Sequence, residues 1–496
     1  MRARWLKPTR RLAATAGAAL LLLASGGDGP VPWPGGDAPD ETALAEQVQD
    51  ALALADRERF EEYLEAWERG EDAEHIFVQQ EWIDDGFWSL PQLFVFGDAL
   101  FGHEFRADDG YGDQGQPVPM QRVHQGRRGG LDSFSCAGCH SVGGANGAGA
   151  ATQNAHLLGD GQHMDSTVVR NSPAVIGLGL VQALAFEMSG QLQATRDEAL
   201  VAATERGQEV RVQLSAKGID FGFITARADG TLDGGEVEGV DADLVVKPFG
   251  WKGSFSRLRR VVEDAARIHF GIQSHVLALR HQDMPDPEAL GAGPQWYDPD
   301  DDGKARELEE GILTAAAVYL AMLEAPQIIP PHDAGLRDRW AHGSALFDEV
   351  GCDDCHRREL PLLDVTWEEW PDTTAGEPVV INLLLDGEQP KGGSRVQLFS
   401  DLRRHDMGPQ LADPHELGDD DLPAATFLTR PLWGLAETPP YLHDGRAATI
   451  PAAILAHGGE AEGSRDAFTA LSPADQADLH VFLLSLSRAP RLRVPQ

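Results

Sequence analysis

The sequence predicts a mainly α-helical chain of two similar halves, with long loops and one small β-hairpin insertion. Three observations predict it. The 496 residues contain 54 glycines and 31 prolines, which favour many loops between short helices. A short run recurs as Gly97-Asp98-Ala99-Leu100-Phe101 and Gly343-Ser344-Ala345-Leu346-Phe347, a weak internal repeat. Each half then ends in a stretch with apolar residues at helical spacing, about Glu307 to Glu324 and about Pro473 to Ser487.

Taken in order, Arg2, Arg4, Lys7, Arg10 and Arg11 precede an apolar run from Leu12 to Ala24 and the small residues Ser25-Gly26-Gly27. This reads as a secretory signal over residues 1–27, too short for a comfortable membrane span. Residues 28–90 read as a flexible Pro/Gly/Asp-rich lead followed by accessory helices carrying Leu44, Val48, Leu52, Phe60, Leu64 and Trp67. The first half spans 91–330 and contains the insertion, where Val210-Arg211-Val212-Gln213-Leu214 alternates before Gly/Asp turns. Ile312 to Leu323 reads as a buried helix, and Ala325 to Pro331 as the linker. The second half spans 331–496; its last helix opens at Ser472-Pro473, an N-cap followed by a first-turn proline, with Asp475 at the positive helix end.

All four cysteines lie in two runs, Cys136-Ala137-Gly138-Cys139-His140 and Cys352-Asp353-Asp354-Cys355-His356. Cys-x-x-Cys-His is the attachment signature of c-type haem: each cysteine makes a thioether to a vinyl group, and the histidine becomes the proximal iron ligand. A thioredoxin-like pair does not need the histidine, a zinc site would need further ligands at workable spacing, and two disulfides would leave both histidines unexplained. The reading is therefore two covalently bound haem c groups in two cytochrome c-like haem domains. Haem attachment and an export signal support each other and point to a bacterial periplasm.

The formal net charge is −38, and removing the five basic residues of 1–27 would take it to −43. That excludes a nucleic-acid binder, which needs a basic face. It suits a basic small cytochrome as electron donor, although an acidic surface also serves solubility. No stretch after the signal is long enough to span a membrane.

The surroundings of the two runs resemble a family. The segments that carry the likeness are Arg170-Asn171-Ser172-Pro173-Ala174, Pro248-Phe249-Gly250-Trp251-Lys252-Gly253, His405-Asp406-Met407-Gly408, Thr429-Arg430-Pro431-Leu432-Trp433-Gly434, Pro440 to Ala447, and His457-Gly458-Gly459-Glu460-Ala461. They resemble the diheme c-type oxidoreductases of peroxidase-like or thiol oxidoreductase-like kind, related to bacterial diheme cytochrome c peroxidases. The likeness spans roughly residues 90–490 and is sharper in the C-terminal half.

The resemblance implies that one haem accepts electrons from a small redox protein while the other meets a small oxidant such as peroxide. It implies His457 as distal ligand of the C-terminal haem, with Met407 as the rival and His443 beside the haem or its propionates. On the N-terminal side His163 matches a displaceable distal histidine, Met164 and His269 are further candidates, and an open position is the other reading. The relatives follow the Arg-Asn-Ser-Pro segment with Trp-Asp-Gly-Arg; here Phe186-Glu187-Met188-Ser189-Gly190 stands instead, so Glu187 is the acid/base candidate by position alone. Trp251 is a candidate electron relay between haems or a packing tryptophan, and Trp433 is weighed the same way. A calcium ion is implied at Asn171, Thr429 and Pro431. Separately, Asp298-Pro299-Asp300-Asp301-Asp302-Gly303 with Glu309 matches the opening of an EF-type loop, but Pro299 and the missing entering helix make it a solvated acidic loop. The competing functions are a peroxidase-type enzyme, a non-catalytic electron-transfer cytochrome, and an assembly module with incidental haem.

Overall fold

A computed structural model describes residues 78–106, 109–111, 123–124, 127–128, 133–140, 154–157, 163–272, 274, 307–325, 327–384, 393–414 and 422–487. The chain divides into residues 1–75 and a unit spanning 76–496. The signal, the accessory helices and the acidic loop at 298–303 fall outside the described residues.

Ten α-helices occur among the described residues: α1 (Gln80–Asp84), α2 (Leu90–Gly102), α3 (Cys136–Cys139), α4 (Leu178–Arg206), α5 (Leu258–Ala265), α6 (Glu310–Met322), α7 (Ala334–Glu349), α8 (Ile450–Ala456), α9 (Glu462–Ala470) and α10 (Pro473–Leu483). Their starts follow from local sequence. Ser89 and Gln92 close a capping box at α2, Asp333 accepts from Leu336 N at α7, and Ser472 accepts from Asp475 N at α10.

The repeated Gly-x-Ala-Leu-Phe run has a physical basis. At Gly97, α2 crosses α6 so closely that a Cβ would lie 2.6 Å from the Ala315 carbonyl oxygen. At Gly343, α7 crosses α10, and a Cβ would overlap the Asp478 carbonyl. Glycine is required at both crossings because two helix backbones touch there. Four residues on, the phenylalanine of each run points toward a Cys-x-x-Cys-His motif. Phe101 lies 6.0 Å from the His140 ring, and Phe347 packs edge-on to Phe399 at 5.8 Å. The second crossing is sealed by Leu346, Phe347, Leu479, Phe482 and Leu483, each buried. Each such side chain contributes roughly 1.5–3 kcal/mol by leaving water.

Helix α6 is buried along its whole length, as read for Ile312 to Leu323, because α1, α2 and α5 all pack on it. One expectation is revised. The fold class is mixed rather than mainly α: seven small sheets occur among the described residues. The long loops pair their backbone groups in two-stranded ladders, since buried N–H and C=O groups must find partners. Even the linker does so, with Gln327–Ile328 pairing antiparallel to Leu486–Ser487. The insertion is a three-stranded antiparallel sheet, Val210–Ala216, Ile219–Ala226 and Leu232–Val237. Ala226 packs with Ala199 and Ala203 of α4, while the third strand is largely exposed. Helix α4 itself, 29 residues between the left-handed Gly177 and Gly207, is not foreshadowed by a periodic pattern.

A buried ionic cluster lies behind the first crossing. Arg259 of α5 is 1% exposed and donates to Glu369 at 2.6 Å, with Glu310 at 3.7 Å. No described helix is long and apolar enough to cross a membrane.

Candidate functional site

Gly351, with φ +77°, turns the chain out of α7 into a 3₁₀ turn at Cys352–Asp354, and His356 N bonds back to the Cys352 carbonyl at 2.9 Å. This turn places Cys352, Cys355 and His356 on one wall of a cavity of about 320 Å³. His356 Nδ1 donates to the Phe399 carbonyl at 3.0 Å, so its proton sits on Nδ1 and Nε2 is left as a lone pair. Phe399 holds that carbonyl in place from a left-handed backbone, φ +55°, which a non-glycine residue adopts only under packing constraint.

His457 caps the end of α8 and lines the same cavity. Its Nδ1 donates to the Ala453 carbonyl at 2.8 Å, fixing the same tautomer. The chain can place it there because two motifs mesh at glycines: a Cβ on Gly458 would sit 3.0 Å from Met407 O, and one on Gly408 would sit 2.8 Å from Gly459 N. Glu460 completes the joint, accepting from Asp406 N at 2.8 Å and pairing with His405 Nδ1 at 2.7 Å. Met407 also lines the cavity. The cavity thus offers two thiols and two imidazoles with free Nε2 positions, amid Ile176, Phe347, Leu411, Ile450 and Ile454. This donor set fits a haem bonded through its edge and ligated from both faces.

The N-terminal motif repeats the geometry. Ser135 caps α3, accepting from Gly138 N at 3.1 Å, and His140 Nδ1 donates to the Pro173 carbonyl at 3.0 Å. His269 lies in a π-helical turn, Ala266–Phe270, that continues α5. Phe105 stacks on Phe270 at 4.9 Å and accepts no slack: its backbone N bonds the Phe134 carbonyl at 2.8 Å, tying that turn to the motif loop. His269 is close enough for its charge to oppose protonation of His140. His163 is exposed. Glu187 is occupied elsewhere, accepting from Leu363 N and Asp364 N at 2.9 and 2.8 Å and pairing with Lys217.

The two motifs share a wall. Asn171, Ser172, Pro173 and Ala174 line the C-terminal cavity, while Pro173 O holds His140 and the Ser172 hydroxyl donates to the Cys139 carbonyl. Trp251 lines the cavity too, donating from Nε1 to Asn171 O at 2.8 Å. Its ring lies 6.5 Å from that of His443, which is buried, lines the cavity and stacks on Phe427 at 4.3 Å. Behind them Asp413 takes a bidentate pair from Arg170 at 2.7 and 2.8 Å. Lys252 Nζ is buried among the carbonyls of Pro423, Ala424 and Thr426 at 2.9–3.0 Å, with Asp413 at 3.3 Å. Of the residues matched to a calcium site, Asn171 bonds Asn154 Oδ1 at 2.8 Å, the Thr429 carbonyl accepts from Ser400 at 2.6 Å, and Pro431 lines the cavity. Trp433 is a packing residue: its ring covers Gly177, and Nε1 donates to Gln397 O at 2.7 Å.

Burial dominates the electrostatics. It pushes His140 and His356 down to about 4 and lowers His457, so all three imidazoles are neutral. It pushes the Cys136 and Cys352 thiols up to about 12, an environment for neutral sulfur. His405 differs: burial opposes its charge, but Asp401 and Cys355 outweigh that and hold it up to about 11. The roles of Lys252, Asp413, Glu460 and the glycines Gly408, Gly458 and Gly459 are absent from the sequence reading. Lys252, Glu460 and the glycines lie within the segments carrying the resemblance, whereas Asp413 lies outside them.

Residues 328–486 match the family described as "Di-haem oxidoreductase, putative peroxidase". No curated protein matches the chain. Among solved structures, Kuenenia stuttgartiensis hydrazine synthase pressurised with xenon is similar at 16% identity, covering 80% of this chain and 92% of that one, with a TM-score of 0.32. A MauG-like protein associated with microbial copper homeostasis is similar at 14% identity, covering 65% and 93%, with a TM-score of 0.26. The matched segment contains Cys352, Cys355, His356 and His457.

Proposed function

We propose that the chain is a di-haem oxidoreductase that binds two haem c groups covalently, through Cys136 and Cys139 and through Cys352 and Cys355, with His140 and His356 as proximal ligands. It works in the periplasm as a peroxidase-type enzyme, taking electrons from a small redox protein at the C-terminal haem and delivering them to a small oxidant such as peroxide at the N-terminal haem. The observation that carries this reading is the paired geometry of His356 and His140, each donating Nδ1–H to a backbone carbonyl at 3.0 Å and freeing Nε2. When bound, haem iron supplies one-electron chemistry that side chains cannot.

The chain's own residues orient and insulate. Phe399 and Pro173 aim the proximal imidazoles. His457 closes the C-terminal site, favoured over Met407 because Ala453 fixes its tautomer. Trp251, bonded to Asn171 beside the shared wall, is placed to relay an electron between the two sites. A calcium ion at Asn171, Thr429 and Pro431 belongs to the same proposal, resting on the resemblance.

A second reading, a non-catalytic electron-transfer cytochrome, is favoured by His269 beside His140, since a histidine there could close the N-terminal site. Optical and EPR spectra of the holoprotein, with and without reduction, calcium and peroxide, separate the two. A high-spin haem that reacts with peroxide within seconds supports the enzyme. A fully low-spin pair indifferent to peroxide and cyanide would sink it.

A further inference from the structure

The cavity wall carries two cationic side chains, Arg430 and Arg465. Arg465 has its acids, Glu462 and Asp466, each at 2.8 Å. Among the described residues Arg430 has none: it donates to the Pro248 carbonyl at a long 3.4 Å and lies 5.7 Å from the Trp251 ring, and no described carboxylate pairs with it. The neighbouring cations are already committed, Arg170 and Lys252 to Asp413. Arg430 itself is half-buried at the cavity wall, where a guanidinium facing apolar surroundings without a counter-charge is poorly satisfied. Its planar fork of donors is the shape that takes a carboxylate through two parallel bonds.

We propose that Arg430 anchors a carboxylate of the group that fills this cavity: on the reading above, on which this inference rests, a propionate of the C-terminal haem. The anchor has two consequences. The pair sits over the Trp251 face, so that one carboxylate, one guanidinium and the indole form a stack between the His356–His457 site and the shared wall. The cation also favours the reduced iron, which carries one positive charge fewer. Arg430 is thus a positioning residue that sets the potential of the electron-entry haem rather than a group that touches oxidant.

The test uses purified holoprotein with R430Q, R430K and, as control, R395Q, an exposed arginine paired to Glu359. Haems per chain are counted from the pyridine haemochrome spectrum, and each couple is followed by optical potentiometric titration. In R430Q both haems stay attached, and the C-terminal couple moves negative by at least tenfold in its oxidised-to-reduced ratio at fixed potential, about 59 mV for one electron. The other couple and both couples of R395Q stay put. An R430Q couple that matches the control overturns the proposal. If R430Q does not accumulate, R430K decides: the resonance Raman propionate-bending band of the C-terminal haem must shift when the fork is lost, and an unmoved band overturns the anchor. A wild-type chain with fewer than two haems overturns the haem reading itself, whatever Arg430 does.

Discussion

Replacing Gly343 by alanine tests the helix crossing that places the C-terminal motif. Within a helix, glycine is worse than alanine by about 1 kcal/mol, so the same change at an unhindered site should stabilise. Gly190 of α4 is such a site: a Cβ there meets nothing within 4 Å. At Gly343 the Cβ overlaps the Asp478 carbonyl and lies 2.9 Å from Leu479 N, both backbone atoms that cannot rotate away. Overpacking generally costs about 1–3 kcal/mol, and backbone obstruction belongs at the upper end. Subtracting the propensity gain leaves G343A destabilised by about 2 kcal/mol, with G190A stabilised by up to about 1. The assay is the urea midpoint of the holoprotein, with the haem absorption as second probe, because parting α7 from α10 moves Phe347 against Phe399 and hence the carbonyl that holds His356. A G343A protein as stable as wild type, with an unchanged spectrum, would refute the crossing and the account of the repeat.

Other outcomes follow from the same geometry. Arg259→Met should cost about 3–5 kcal/mol by stranding buried Glu369, and Arg259→Met with Glu369→Leu should recover most of it in the same unfolding assay. Glu187→Ala should lower stability by about 1–3 kcal/mol by leaving the buried Lys217 ammonium without its carboxylate, yet leave haem content and peroxide reactivity unchanged. Burial pushes the Asp241 carboxyl up, but Lys247 and Arg404 outweigh it and hold it below the usual range. Its stabilisation is therefore complete above the unfolded carboxylate value near pH 4 and lost as pH falls below that; Asp241→Asn should flatten the urea midpoint across that acid window.

The sequence made legible what repeats or carries unusual chemistry. The two haem motifs stand out because Cys-x-x-Cys-His is rare, and the Gly97 and Gly343 runs because both halves solve one packing problem with the same residue. Helix α10 was readable from Ser472 and Pro473, which act locally. The third strand of the insertion was not: Leu232–Val237 is Gly-rich and exposed, so it has no apolar alternation. His269 and His163 could not be ranked from sequence, because what separates them is a π-turn whose Phe270 stacks on Phe105, itself hydrogen-bonded to the motif loop, a contact between distant segments. Arg430 and Lys252 differ in what surrounds them, one lacking an acid among the described residues and the other caged by carbonyls, and no local pattern records that.

The most direct test of two covalent haems is the intact mass of the purified holoprotein after denaturation, which strips any group held only by coordination. A mass above that of the chain by two haems, falling by one when Cys352 and Cys355 are both replaced by alanine and by one when Cys136 and Cys139 are, is the predicted result. A chain mass without haem, or with its cysteines joined as disulfides, would contradict the account.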